Sequence, residues 1–248
     1  GAVLFADIML PLEPMGVGLR IEPEVGPIID RPIRSAADVA ALRPFDPAAV
    51  SFTLDAIGLV RRELGGAAGV IGFSGAPFTL ACYLIEGRPS RDFATAKAFM
   101  YREPAAWHDL MERLSSMVVD YLRAQVAAGA DVVQLFDSWV GHLSPSDYKE
   151  FVLPHTKAVF AAVQPGVPTI HFGVRTSTLM ELIAQAGGDV IGVDYHQELD
   201  QAWARLPGKG VQGNLDPAAL RPPREFIKSR VQRILDQAMD ALRCPPGD

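Results

Sequence analysis

Six times along this chain a short run of Val, Ile, Leu and Phe ends abruptly in residues able to do chemistry. AVLFADIMLP reaches Asp7, GVIGFSGAPFTLACY reaches Ser74 and then Tyr83, and DVVQLFDSWVGH reaches Asp137, Ser138 and His142. PTIHFGVRTS carries His171 and Arg175, DVIGVDYHQ ends at Asp194 and His196, and GVQGNLDP ends at Asn214 and Asp216. Helix-compatible stretches separate these runs. Near-continuous apolar runs are what strands buried on both faces require. When they alternate with helices and carry polar groups at their C-terminal ends, the fold they specify is a (β/α)8 TIM barrel with a site at its mouth. The expectation is an enzyme.

The helices can be placed from caps and periodicity. Ser35 precedes AADVA with Asp38 three residues later, a capping-box pattern. Apolar residues recur at helical spacing from Ala48 to Leu64. The clearest helix spans Pro104 to Ala128: proline suits its first turn, Gly129 its C-cap, and Leu110, Leu114, Met117, Val118, Tyr121 and Leu122 mark one face. Further helices are expected near 146–163, 177–186, 198–206 and 223–242. No linker or low-complexity tract divides the chain, so residues 1–248 read as one domain.

Strand counting qualifies that reading. A closed (β/α)8 barrel needs eight strands and only six are countable. The sequence opens inside a strand-like run and stops soon after a long helix. The expectation is therefore strands two to seven of the barrel, incomplete at both ends.

Composition limits the partners. The net charge is −6 with no basic block, which argues against nucleic acid or an anionic membrane surface. The two cysteines, Cys82 and Cys244, have no metal-type spacing and fit a reducing compartment such as the cytoplasm. No apolar run approaches the roughly 18 residues of a membrane span.

Three segments carry a family resemblance: LFADIMLPLEPMG, IGFSGAPFTLACYLIEGRPSRDF and VQLFDSWVGHLSP. HFGVRTSTLMELIAQAGGDVIGVDY and VQGNLDPAAL continue it in the same order. Together they resemble the uroporphyrinogen decarboxylase family over essentially the whole chain. The family also has an arginine-bearing first strand and a histidine-bearing last strand, and neither is matched in this sequence. The resemblance implies a homodimeric, cofactor-free carboxy-lyase that converts the four acetate side chains of uroporphyrinogen III to methyls, giving coproporphyrinogen III. Loss of carbon dioxide leaves an electron pair that needs a sink. A pyrrole protonated at carbon is such a sink, and a fixed anion can hold the resulting cation.

Asp7 matches the family's catalytic aspartate, the anion at the centre of the macrocycle. A carboxylate offers about four lone-pair sites to a ring of N–H donors. Taken alone, Asp7 is equally an aspartate that caps the following loop. Tyr83 and Ser138 match positions that hydrogen-bond substrate carboxylates; alone, they read as a packed tyrosine and a turn hydroxyl. Gly72, Phe73, Gly75 and Ala76 resemble a small-residue platform against which the macrocycle lies, and Pro77 can start the next helix. Arg88 and Arg91 can guide an anionic substrate or simply sit in a solvated loop. His108 and His155 read as helix-surface or packing residues and His142 as a loop residue. His171 and His196 follow strands and could line the mouth.

Two other readings remain. One is a zinc-dependent methyltransferase of the same fold, with corrinoid partners, whose His-x-Cys pair would fall where this chain has His171-Phe172-Gly173. Glycine cannot ligate, and zinc needs three or four ligands. The other is an inactive binding fragment.

Overall fold

The computed structural model describes residues 1–164 and 166–243; Cys244 lies outside the described residues. In chain order the strands are β1 (Ala2–Val3), β2 (Leu19–Glu22), β3 (Gly26–Ile29), β4 (Val70–Gly75), β5 (Val132–Asp137), β6 (Thr169–Gly173), β7 (Val190–Gly192) and β8 (Gly210–Gln212). The helices are α1 (Ala36–Ala40), α2 (Ser51–Leu64), α3 (Pro77–Glu86), α4 (Ala94–Arg102) and α5 (Pro104–Ala128). They continue with α6 (Pro145–Phe151), α7 (Leu153–Val163), α8 (Met180–Ala186), α9 (Leu199–Ala204) and α10 (Arg224–Arg243). Strands β1, β4, β5, β6, β7 and β8 form one parallel sheet in that order, so each of the six predicted runs supplies a strand. Within this sheet β1 and β8 each pair on one side only, which leaves the barrel open between them.

Strand alternation sorts the side chains by face. Phe73, Phe136 and Phe172 form a row on one face, with successive ring centroids 5.5 and 5.7 Å apart and edge-on. On the same face, Gln212 Nε2 donates to Gln134 Oε1. Leu135, Asp137 and His171 point the other way, into the helical layer. His171 lies against Phe160 of α7. The core fills this layer. Trp107, Leu110, Met111, Leu114 and Val118 of α5 are all fully buried, as are Leu80, Leu84 and Ile85 of α3. Burial of this kind contributes about 1.5–3 kcal/mol per large apolar side chain.

Helix ends follow the predicted signals. Pro104 opens α5, and Gly129 closes it in the left-handed region at φ 119°. Ser35 accepts the Asp38 amide at the start of α1. Pro77 is the first residue of α3.

Two departures have physical causes. The single helix expected over 146–163 is broken at Val152 into α6 and α7. Pro154 lacks an N–H and its ring opposes the carbonyl four residues back, so it is tolerated only in a first turn. The antiparallel hairpin β2–β3 and helix α4 were not anticipated. The hairpin registers Leu19 with Ile29 and Glu22 with Gly26, and turns through Glu24 and Gly26 at positive φ. It docks on α3, the Ile29 and Ile33 amides donating to the Gly87 and Leu84 carbonyls. Among the described residues no helix is long and apolar enough to cross a membrane.

Candidate active site

The ends of β1, β4 and β5 converge on a cavity of about 390 Å³. Its wall includes Asp7, Ile8 and Met9 after β1, Phe73 of β4, Tyr83 of α3, and Phe136 and Ser138 at the end of β5, with Pro27 of the hairpin at its rim. Four of the five site residues expected from sequence therefore share one wall: Asp7, Phe73, Tyr83 and Ser138.

The fifth, Gly75, does not line the cavity. A Cβ there would lie 2.9 Å from Leu80 Cδ2 and 3.3 Å from Ile8 Cβ, so this glycine lets the Asp7 loop and α3 close on β4. A Cβ on Gly72 would lie 2.7 Å from Gln125 Oε1 and so points into the helical layer. The small-residue platform is thus a packing device behind the wall, and the ring of Phe73 supplies the surface itself.

Asp7 is half-buried, and its Oδ1 accepts the Met9 amide at 2.9 Å. The loop-capping reading is met by one oxygen, and no donor of the described residues is bonded to Oδ2. A carboxylate pinned by its own backbone is preorganised to accept further donors without rearranging.

Tyr83 is also half-buried, with its ring edge-on to Trp139 at 6.0 Å. Burial raises its pKa, and the negative charge of Asp7 adds to that, while the neighbouring Trp139 side chain works the other way. No hydrogen bond is formed between the Trp139 indole and the phenol, since Trp139 Nε1 has no partner among the described residues. Tyr83 is accordingly a neutral O–H donor over the whole physiological range. Ser138 is half-buried at the turn after β5, and its hydroxyl bonds no other described residue. One anion and two neutral donors thus border an aromatic floor.

The remaining histidines fall elsewhere. His171 is a correction: it is fully buried in the middle of β6, facing the helices, and does not reach the mouth. His196 does follow β7, where its Nδ1 lies 2.7 Å from Asp194 Oδ2 and its ring stacks on Tyr195. His142 packs edge-on against Phe93. His108 and His155 pair across α5 and α7, with Nδ1 and Nε2 2.8 Å apart; burial, and then the charge of His108, lowers the pKa of His155 to about 4. Arg88 and Arg91 are exposed and form no ion pair among the described residues. The described cysteine, Cys82, is buried, and burial pushes its thiol well up. Among the described residues no three His, Cys, Asp or Glu side chains come together as a metal site.

Sequence reasoning overlooked Pro27, Thr79, Trp139 and Gln125. Pro27 belongs to the unanticipated hairpin. The other three lie behind the site or beside it, in contacts no local pattern reveals.

Comparison with known proteins identifies the family. The family model for uroporphyrinogen decarboxylase matches residues 1–243. A uroporphyrinogen decarboxylase of Carboxydothermus hydrogenoformans is 51% identical over 240 residues, covering 96% of this chain and 69% of the relative. One from Thermus thermophilus is 53% identical over 238 residues, covering 95% of this chain and 69% of the relative. In fold, the chain is similar to a methyltransferase from Methanosarcina mazei, with a TM-score of 0.76 at 18% identity over 95% of this chain and 71% of that one. At that identity the likeness speaks for the barrel architecture alone. The matched span and the identity to these relatives place this chain in the uroporphyrinogen decarboxylase family.

Proposed function

We propose that this protein is a carboxy-lyase that removes carbon dioxide from the acetate side chains of uroporphyrinogen III and yields coproporphyrinogen III. The observation that carries the reading is the Asp7 carboxylate, with one oxygen fixed by Met9 and the other unpartnered, on the wall of an aromatic-floored cavity. Relatives about 50% identical over 96% of the chain carry the same activity in their names.

Asp7 would accept the pyrrole N–H groups at the centre of the folded macrocycle. When a proton adds to a ring carbon the pyrrole becomes a cation, and the fixed carboxylate lowers its energy. The C–C bond electrons then flow into that ring as carbon dioxide departs. That leaves an exocyclic methylene, which takes up a proton to become the methyl while the ring carbon releases the proton it first gained, so each carboxylate lost consumes one proton net. Tyr83 and Ser138 would donate hydrogen bonds to substrate carboxylates without adding positive charge, so a product with fewer carboxylates is not held by ion pairing. The face of Phe73 would support the macrocycle.

Residues 1–248 are read here as one domain of this family, working as a homodimer in the cytoplasm. Because β1 and β8 each present an unpaired edge, the 248-residue chain by itself is expected to aggregate, to melt without a sharp transition and to turn over poorly. A monodisperse, sharply melting and active chain would contradict that. Methyl transfer through a zinc-held thiolate does not fit the donor set, because His171 is buried behind the sheet and is followed two residues later by Gly173.

The test is to supply anaerobic uroporphyrinogen to the full-length protein and identify the products. Coproporphyrinogen with four carbon dioxide released per macrocycle is expected; unchanged uroporphyrinogen would refute the assignment.

A further inference from the structure

Asp137 is a buried carboxylate with little to hold it. It is 0% exposed, and among the described residues its side chain takes one hydrogen bond, from Thr79 Oγ1, 3.2 Å from Oδ1. Among the described residues Oδ2 has no hydrogen-bond partner, and His171 Nε2 lies 3.9 Å away. Tyr148 Oη and both ring nitrogens of His171 are buried and unpartnered too. A buried polar side chain satisfied this poorly costs folding energy, and an apolar residue of similar size would be no worse for stability. The cost calls for a return other than stability.

The return is visible one residue away. Thr79 Oγ1 also accepts the Trp139 amide at 3.4 Å, and the Ala76 amide donates to the Phe136 carbonyl at 2.8 Å. The residues on both sides of Ser138 are thereby tied to the first turn of α3. Thr79 and Tyr83 are four residues apart on that helix, so they lie on one face, one turn from each other. Trp139 completes the loop by packing its ring against Tyr83. Every fixed point in this arrangement converges on two hydroxyls, Ser138 and Tyr83.

We propose that Asp137 and Thr79 are positioning residues: their hydrogen bond locks the end of β5 to α3 and so sets Ser138 and Tyr83 at the spacing that receives substrate carboxylates. Neither touches substrate. The inference rests on the function proposed above, for it concerns how that site holds an acidic macrocycle.

The experiment measures KM and kcat for uroporphyrinogen in full-length Thr79→Val, Thr79→Ser and Asp137→Asn variants, with melting curves as a control. Thr79→Val keeps the shape and removes the hydroxyl; losing that bond should raise KM about 5- to 10-fold and leave kcat within about 2-fold. Thr79→Ser restores the hydroxyl and should restore KM. Asp137→Asn keeps the accepting oxygen and should also stay within about 2-fold of the unaltered protein. The effect of Thr79→Val should shrink when Ser138→Ala and Tyr83→Phe are already present, because the positioned groups are then gone. Unchanged KM in folded Thr79→Val, or full additivity with the other two changes, overturns the inference. If Thr79→Val does not fold, an unchanged KM in folded Asp137→Leu, which removes the accepting oxygen, overturns it equally. No turnover by the unaltered protein overturns the function and the inference together, whereas turnover with an insensitive KM overturns the inference alone.

Discussion

Gln125 is the side chain on which the cavity floor rests. It lies on α5 and is 2% exposed; its Oε1 accepts the Phe73 amide at 2.9 Å, and its Nε2 donates to the Phe73 carbonyl at 2.8 Å. The reason lies in the sheet. Strand β1 pairs with β4 only at Val70 and Ile71, so beyond Ile71 the β1 side of β4 loses its ladder. Gln125 replaces the missing strand with one amide. Gln125→Leu conserves approximate volume and leaves two buried backbone groups without partners, each costing about 1–3 kcal/mol. Together that is about 2–6 kcal/mol out of a typical total near 5–15 kcal/mol. For a domain of this size the melting temperature should fall by roughly 4–24 °C, read by calorimetry. Because Phe73 moves with its backbone, uroporphyrinogen turnover should fall even below the melting transition. A shift under about 2 °C with full activity would refute the claim that this amide carries the β4 edge.

Two further outcomes follow from the site and the helical layer. Tyr83→Phe and Ser138→Ala remove the hydroxyls proposed to bond substrate carboxylates and not the ring cation. Each should cost about 1–3 kcal/mol, seen as weaker binding or as accumulated, partly decarboxylated porphyrinogens in product chromatography; complete inactivation with normal binding would assign them a chemical role. His155, with a folded-state pKa of about 4 against about 6.5 unfolded, stays neutral in the fold while the unfolded chain takes up a proton. Its contribution is therefore fully present above pH 6.5 and lost as pH falls towards 4, by roughly 3 kcal/mol at most. NMR titration of the imidazole and a flatter acid melting profile in His155→Gln check the sign; a pKa near 6.5 would contradict it.

The barrel was legible because its signals are local. Six apolar runs, the Pro104 and Gly129 helix bounds and the Ser35 cap depend on a few adjacent residues, and the fold reproduces them. The β2–β3 hairpin escaped because Leu19–Glu22 and Gly26–Ile29 are short, and Pro27 argues against a strand unless the strand lies at an edge. The break at Val152 was within reach, since Pro154 announces it. Asp7, Phe73, Tyr83 and Ser138 could be named from motif context. Their convergence on one cavity is a property of the closed-up strand ends, and no spacing in the sequence states it. The role of Gly75 was misread for a related reason: a glycine signals close approach but does not say whether ligand or protein approaches. Gln125 and Thr79 were invisible, because a polar residue on an apolar helix face gains meaning only from the backbone opposite it.

The central claim is that the Asp7 carboxylate stabilises charge on the macrocycle and is not merely a loop cap. The direct measurement is single-turnover carbon dioxide release from pre-bound uroporphyrinogen in full-length Asp7→Asn, alongside its binding affinity. Asparagine keeps an oxygen for the Met9 amide, so the loop and the fold should persist. Losing one preorganised electrostatic group costs about 10²–10³ in rate, and a central anion should cost at least that. The account predicts substrate that still binds but releases carbon dioxide at least about a hundredfold more slowly. Release at the unaltered rate would show that Asp7 does nothing beyond holding its loop.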